Sequence, residues 1–257
     1  MSAFVLLEIQ NQIAVLTLNR PEVRNALSPA LLEALQTHLA ALETNPHIRA
    51  VVLTGANNTF SSGADLENLK NLLSASAEMQ KQDSSLIAQT LKRIYQFPKP
   101  IIAALEGAAV AGGAGLATAC DLIVAAETTK IGYTEVKLGF VAAIVSVFLI
   151  RAIGEKHARE LLLTGKLISA LEAQRMGLVN EIVPSGTALT RAVEIARQIA
   201  QNSQTALSTT KELLGSLYSF GLEDGLQHAA TVNAWIRGTD DLCEGVTAFL
   251  EKRSPKW

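Results

Sequence analysis

Apolar and polar positions alternate from the start of the chain: Val5, Leu7 and Ile9, then Ile13, Val15 and Thr17, with Asn11-Gln12 between the two sets. A period of two with a short polar break predicts a β-hairpin closed by a tight turn. The period then lengthens. Leu31, Leu32, Leu35, Leu39 and Leu42 recur at helical spacing behind Ser28-Pro29, a helix cap followed by proline at the first helical position, and the pattern stops near Asn45-Pro46. Residues 50–54, 101–105 and 121–125 are short, nearly continuous apolar runs, as expected of strands buried on both faces of a parallel sheet. Helical patterns at 75–97 and 111–119 lie between them, so strand and helix alternate as in an α/β core.

From residue 142 onward the pattern is mostly helical, over 145–152, 156–164, 169–176, 188–201, 206–217, 222–235 and 242–252, with one short strand near 179–183. The chain therefore reads as a sheet-rich first part and a helical tail. No repeat or long linker separates them. The polar, Ser/Gln-rich stretch 68–85, which overlaps the start of the 75–97 helix, is expected to contain a mobile loop.

Composition narrows the function. In 257 residues, 22 Lys and Arg face 24 Asp and Glu, a net charge of −2, so there is no basic excess for nucleic acid. Cys120, Cys243 and four scattered histidines give neither a disulfide framework nor metal-ligand spacing, and no metal is expected. The longest apolar runs, such as 141–150, fall short of the roughly 20 residues a bilayer requires, and no membrane association is expected. The N-terminal MSAFVLL lacks the basic segment and cleavage site of an export signal, so the expected location is the cytoplasm.

Two glycine-centred loops follow predicted buried strands, at residues 60–65 (FSSGAD) and 107–115 (GAAVAGGAG). The second is no dinucleotide fingerprint, because Thr118 stands where that motif needs glycine or alanine, and no Gly-Lys-Ser/Thr follows. Glycine loops can instead present backbone N–H groups, and a helix starting at Gly112 directs its partial positive end to the same place. Two such N–H groups make an oxyanion hole; tight turns and close helix–strand packing explain each loop, taken alone, equally well.

With their flanks, the loops identify a resemblance. Asn19-Arg20-Pro21, Arg24-Asn25-Ala26-Leu27, residues 60–65, residues 111–115 with Cys120-Asp121, Tyr133-Thr134-Glu135 with Leu138-Gly139, residues 158–165, residues 173–179, and Phe249 with Lys252-Arg253 follow in an order and spacing that resemble the crotonase superfamily, the enoyl-CoA hydratase/isomerase family. The resemblance covers nearly the whole chain. It implies a crotonase-like α/β fold of repeated ββα units, with a core domain over residues 1–195 and a helical C-terminal trimerisation region over residues 196–257, assembled as a homo-trimer or as a hexamer formed by a dimer of trimers. The substrates it implies are acyl-CoA thioesters, with coenzyme A entering as part of the substrate and no separate cofactor.

The resemblance also implies roles for particular residues. The backbone N–H groups of Ala64 and Gly112 hold the thioester oxygen as it becomes an enolate. Arg24, Ala26 and Ser62 lie along the nucleotide part of coenzyme A, and Phe249 and Lys252 reach the cofactor of a neighbouring subunit. Family hydratases hold a water between two glutamates; the first position falls here on Gly115, within the acyl site, and the second on Glu135. A single carboxylate, in a pocket expected to be walled by Phe140, Val141 and Ile144, suits double-bond isomerisation, with a pKa raised by its apolar surroundings. Hydration through Glu135 is the close alternative; decarboxylation or hydration of a branched, methylglutaconyl-type acyl-CoA, whose extra carboxylate would need Lys137 or Lys70, is another. A CoA-thioester binder with weak activity is the non-enzymatic alternative. Tyr133 shares a face with Glu135 if the strand continues, as a second proton donor or as core packing. Asp65 is expected to cap a helix, Asp121 to anchor a strand start, Cys120 to be a buried small residue, and His228 and Trp235 to lie at an interface; no histidine is assigned to catalysis.

Overall fold

The structure, a computed structural model, describes residues 3–257; Met1 and Ser2, at the head of the stretch inspected for an export signal, lie outside it. The predicted hairpin forms from β1 (Val5–Gln10) and β2 (Ile13–Leu18), antiparallel, with Asn11 in the left-handed region at the turn. Four further strands, β3 (Ala50–Gly55), β4 (Ile101–Leu105), β6 (Leu122–Ala126) and β9 (Glu181–Val183), join it in the order β1-β2-β3-β4-β6-β9. Every pairing after the hairpin is parallel.

Both faces of this sheet are covered, which is why its strands read as unbroken apolar runs. On one side Leu16, Leu18, Val51, Leu53, Ile101, Ala103 and Leu105 share a core with α1 (Pro29–Thr44), α3 (Ala77–Gln96), α4 (Gly112–Ala119) and α5 (Ala143–Thr164). On the other, Ile13, Val15, Ala50, Val52, Ile102, Ala104 and Val124 pack on α7 (Ala188–Ile199). Ala188, Ala192 and Ala196 form a stripe of small residues at a spacing of four, letting α7 approach the strands closely.

A second sheet went unseen in the sequence because its strands are three residues each. β5 (Ala108–Val110), β7 (Lys130–Gly132) and β8 (Leu167–Ser169) form it in that order, and single bridges Ser61↔Ala109 and Leu27↔Ala64 extend it towards the first glycine loop. The expected mobile loop at 68–85 is also corrected. Asp65 caps α2 (Leu66–Leu72) and Ser76 caps α3, leaving only residues 73–76 between two helices. The helices expected at 145–152 and 156–164 are the halves of α5, joined at Gly154, whose φ of 73° breaks the helical path. Ser169 and Glu172 form a reciprocal cap on α6 (Ala170–Arg175). The chain ends in α8 (Gln204–Leu217), α9 (Leu222–Ile236) and α10 (Asp240–Leu250). No helix among the described residues is long and apolar enough to cross a membrane.

Candidate active site

Three polar groups hold the first glycine loop against the 20–27 segment. Asn25, wholly buried and left-handed at φ 55°, accepts from the Arg20 backbone N–H through Oδ1 (2.9 Å) and donates through Nδ2 to the carbonyls of Ala56 (3.0 Å) and Thr59 (2.6 Å). Its side chain is thereby fully satisfied, as burial demands. Ser61, also wholly buried, donates to the Asn25 carbonyl (2.8 Å) and accepts from the Gly63 N–H (3.2 Å). The Arg20 guanidinium donates to the Ala26 carbonyl and to Asp65 Oδ2, both at 2.8 Å. Burial pushes the Asp65 carboxyl up, but hydrogen bonds from Arg20 and from the N–H groups of Asn68 and Glu67 outweigh it and hold the group below its ordinary value.

This brace is built around one backbone group. The Leu27 N–H donates to the Gly63 carbonyl and the Asp65 N–H to the Leu27 carbonyl, which skips Ala64. Across from it, Ala111 precedes α4 at φ 49° and ψ −125°, a strained conformation for a residue with a side chain, and its N–H is fixed to the Gly132 carbonyl at 2.7 Å. The helix then starts with Gly112. Among the described residues neither the Ala64 nor the Gly112 N–H has an acceptor. A Cβ at Gly112 would stand 3.9 Å from the Ala64 nitrogen, and one at Gly63 would stand 3.3 Å from the Gly112 nitrogen, so the two N–H groups are neighbours. Gly63 has no substitute: its φ is +93°, and a Cβ would meet the Ala111 Cβ and the Val110 carbonyl oxygen at 2.8 Å each.

Strand β7 stops at Gly132, and the chain turns into a 3-10 segment, Glu135–Leu138, with Glu135 at its start. One carboxylate oxygen of Glu135, Oε2, is buried with no hydrogen-bond partner. Burial raises its pKa, against a smaller opposing effect of its own backbone N–H. Because the strand does not continue, Tyr133 does not share a working face with it. Tyr133 is wholly buried, its hydroxyl 2.6 Å from Thr118 Oγ1. Thr118 spends its one hydroxyl proton on the Ala114 carbonyl (2.7 Å), so the Tyr133 O–H must donate to Thr118. The phenol proton is engaged in the core, which corrects the second-donor expectation in favour of packing.

Gly115 is also corrected. It is buried in α4, and a Cβ there would lie 2.1 Å from Val145 Cγ1 and 3.7 Å from Leu91 Cδ1. Val145 from α5 therefore occupies the space of the missing side chain, and Gly115 contacts packing rather than an open acyl pocket. Phe140 and Val141, expected as pocket walls, are 57% and 72% exposed, while Ile144 packs against the core.

The residues expected along coenzyme A fall into two groups. Arg24, Ala26 and Ser62 come together: the Ser62 N–H donates to the Arg24 carbonyl (3.0 Å) and its hydroxyl to Val23 (3.3 Å), Arg24 is exposed, and Ala26 is buried. Phe249, 82% exposed, lies at the end of α10 and Lys252 just beyond it; Asp241 of this helix accepts from Ser203, and Trp257 after it donates to the Gln201 carbonyl, away from the glycine loops. Lys137 lays its stem near Gly165 and Lys70 is exposed on α2. Asp121 accepts from the Ile101 N–H that opens β4 and pairs with Lys211 at 2.6 Å, a strand anchor as expected. Cys120 is buried and its thiol pKa is pushed up by that burial, so it is no nucleophile. His228 turns inward to Ser216 and Phe220, and Trp235 is 59% exposed.

Two cavities, about 450 Å³ between α1 and α3 and about 380 Å³ beyond the C-terminal end of α4, lie away from both glycine loops. Among the described residues no cluster of His, Cys, Asp and Glu is placed to hold a metal ion. Asn25, Ser61 and Arg20 carry the geometry of the first loop, yet none was assigned a role from the sequence. A polar residue in a loop gives no sign that it will be buried; the only available signal was Asn25 itself, a residue type that tolerates left-handed backbone.

The comparisons with known proteins agree with this architecture. Residues 8–257 match the family described as enoyl-CoA hydratase/isomerase. A Thermus thermophilus protein named "Putative enoyl-CoA hydratase" is 52% identical over 248 residues, 96% of this chain and 98% of its own length. The Escherichia coli 2,3-dehydroadipyl-CoA hydratase is 36% identical over 96% of this chain and 95% of its own. A crystal structure of an enoyl-CoA hydratase from Polaromonas sp. JS666 superposes with a TM-score of 0.94 at 35% identity, covering 98% of each chain. The chain belongs to the enoyl-CoA hydratase/isomerase family and is an enzyme of that family with the crotonase fold.

Proposed function

We propose that this enzyme, working in the cytoplasm, moves a carbon–carbon double bond within enoyl-CoA thioesters, using Glu135 as its one acid/base and the N–H groups of Ala64 and Gly112 as an oxyanion hole. The observation that carries this reading is the buried, unpartnered Oε2 of Glu135, set in a structure where Val145 fills the place of any side chain at Gly115. With a 3-enoyl-CoA, the Glu135 carboxylate takes a proton from C2. The C–H electron pair shifts into the conjugated system and charge gathers on the thioester oxygen, where the two free N–H groups donate to it. Protonated Glu135 then returns its proton to C4, and the double bond lies between C2 and C3. Removing one donor from such a hole typically costs about 3 kcal/mol of barrier.

The hydratase reading is favoured by the names of the relatives. Hydration needs a base for the water and an acid for the α-carbon, and with one carboxylate Glu135 would serve both in turn. Absorbance of the conjugated thioester separates the two. On our reading it rises when purified enzyme meets a 3-enoyl-CoA and falls little with a 2-enoyl-CoA; rapid loss from the 2-enoyl substrate would establish hydration and overturn the preference.

For the coenzyme A handle we assign Arg24, Ala26 and Ser62, with binding that weakens as salt is added because Arg24 is exposed. For assembly we assign a homo-trimer or hexamer through the C-terminal helices, in which Phe249 and Lys252 reach a neighbouring subunit's substrate. Leu222, Leu226, Trp235, Phe249 and Leu250 are each more than half exposed in the single chain. Sedimentation of the enzyme as a monomer at micromolar concentration would refute the assembly.

A further inference from the structure

Tyr133 is the last buried residue before an exposed turn, and Glu135 follows two positions later. Up to Tyr133 the chain is held by α4. The Ala111 N–H, just before the helix, donates to the Gly132 carbonyl at 2.7 Å. Thr118, near the far end of the helix, accepts the Tyr133 hydroxyl at 2.6 Å and is itself oriented by its own donation to Ala114 at 2.7 Å. Between these two ties α4 is buried from Gly113 to Ala119. One rigid body therefore carries the free Gly112 N–H at its start and, near its end, the side-chain anchor that precedes the Glu135 turn.

We infer that Tyr133 and Thr118 are positioning residues, a strut that sets the Glu135 carboxylate at a fixed place relative to the Gly112 N–H. Neither touches the reacting atoms; both act through Glu135. The inference rests on the assignment of Glu135 and Gly112 made above. Tyr133 and Glu135 lie within each other's field: burial raises the pKa of the phenol, and the Glu135 charge raises it further. A dienolate mechanism needs this kind of registry, because the carboxylate must reach two carbons of the substrate while the oxyanion stays on its donors. A misplacement of 1 Å can cost on the order of 100-fold in rate.

The test compares Tyr133→Phe, Thr118→Val and Thr118→Ser in the full enzyme. Phenylalanine keeps the ring in the core and removes only the donor, and valine removes the acceptor at nearly equal volume. For both we expect kcat on a 3-enoyl-CoA to fall roughly 10- to 100-fold with KM within about twofold. The limb of the pH profile moves to lower pH, because a freer turn exposes the carboxylate to water and its pKa falls towards the ordinary value. Thr118→Ser keeps the acceptor, and with it the rate and the profile. A carbon-13 NMR titration of the Glu135 carboxyl in the substrate-free enzyme reads the same displacement without turnover, so the strut can be judged even if the wild type acts on no enoyl-CoA and the functional reading fails. An unmoved titration in Tyr133→Phe and Thr118→Val, or a loss in Thr118→Ser equal to that in Thr118→Val, overturns the inference.

Discussion

The region around the glycine loops and the C-terminal helices are built by opposite rules. In the first, nearly every polar group is matched: Asn25 and Ser61 are wholly buried with their partners in place, and positive φ angles gather at Arg24, Asn25, Gly63 and Ala111. In the second, helix α8 has no buried residue, α9 buries only Gly225, and α10 only Ala248. Leu222, Phe249 and Leu250 stand 78%, 82% and 74% exposed. Chain-internal contacts complete one region and leave the other with apolar surface to cover. The few groups in the first region without partners, the Ala64 and Gly112 N–H and Glu135 Oε2, are conspicuous because so much around them is satisfied.

Substitutions can break or sharpen that contrast. Among substitutions of glycine, the largest effect is expected from Gly63→Ala. The left-handed backbone and the 2.8 Å approach to Ala111 leave no room for a methyl group, so the loop must shift and carry the Ala64 N–H with it. Loss of one donor predicts a fall in kcat of about 10²- to 10³-fold, checked by steady-state kinetics beside a thermal melt that shows the protein still folded. An intact rate would mean that the Ala64 N–H is not used.

Gly115→Ala is expected to act on stability. By helix propensity alone it would gain about 1 kcal/mol. A Cβ only 2.1 Å from Val145 reverses the sign, since overpacking typically costs about 1–3 kcal/mol. Combining it with Val145→Ala should recover the loss, and a coupling of at least about 1 kcal/mol in the double-mutant cycle, from denaturant titrations, would confirm that Val145 fills this space. Additive effects would refute it. The smallest change in the folded chain comes from the other region: Leu250→Ser should alter monomer stability by no more than about 0.5 kcal/mol. Its effect belongs in sedimentation instead, as a shift towards smaller species. No shift would show that α10 covers nothing.

The same contrast governs what could be read from the sequence. Strands β2, β3 and β4 were legible because burial on both faces leaves an apolar run, and α1 was legible from its leucine spacing and the Ser28-Pro29 start. Strands β5, β7 and β8 were not, since three residues carry no period, and they are the elements that bring the glycine loops together. Residues 68–85 looked like a loop because α3 turns much of its surface to solvent and is rich in polar side chains. Glu135 and Gly112 are proposed on the resemblance, but Val145 against Gly115 and Thr118 against Tyr133 join positions 30 and 15 apart through tertiary packing, which local pattern does not encode. Phe140 and Val141 were taken for pocket walls from hydrophobicity alone, and in the single chain they face outward.

The proposed isomerisation depends on Glu135 acting alone from a place where burial raises its pKa. The base must be ionised to take the C2 proton, so activity rises with pH through that raised value and levels off above it. The sign is opposite for stability: a carboxyl whose pKa is raised on folding stabilises most below its unfolded pKa, and that contribution is lost as pH rises through the folded value. Glu135→Gln should therefore be at least as stable as the wild type at neutral pH while losing its turnover. The decisive measurement is kcat/KM for 3-enoyl-CoA isomerisation against pH in the wild type and in Glu135→Gln. The expected result is one ascending limb, centred above the ordinary glutamate value, in the wild type and a loss of about 10²- to 10⁴-fold in the variant. A variant that keeps its rate, or a wild-type profile without that limb, would contradict the claim.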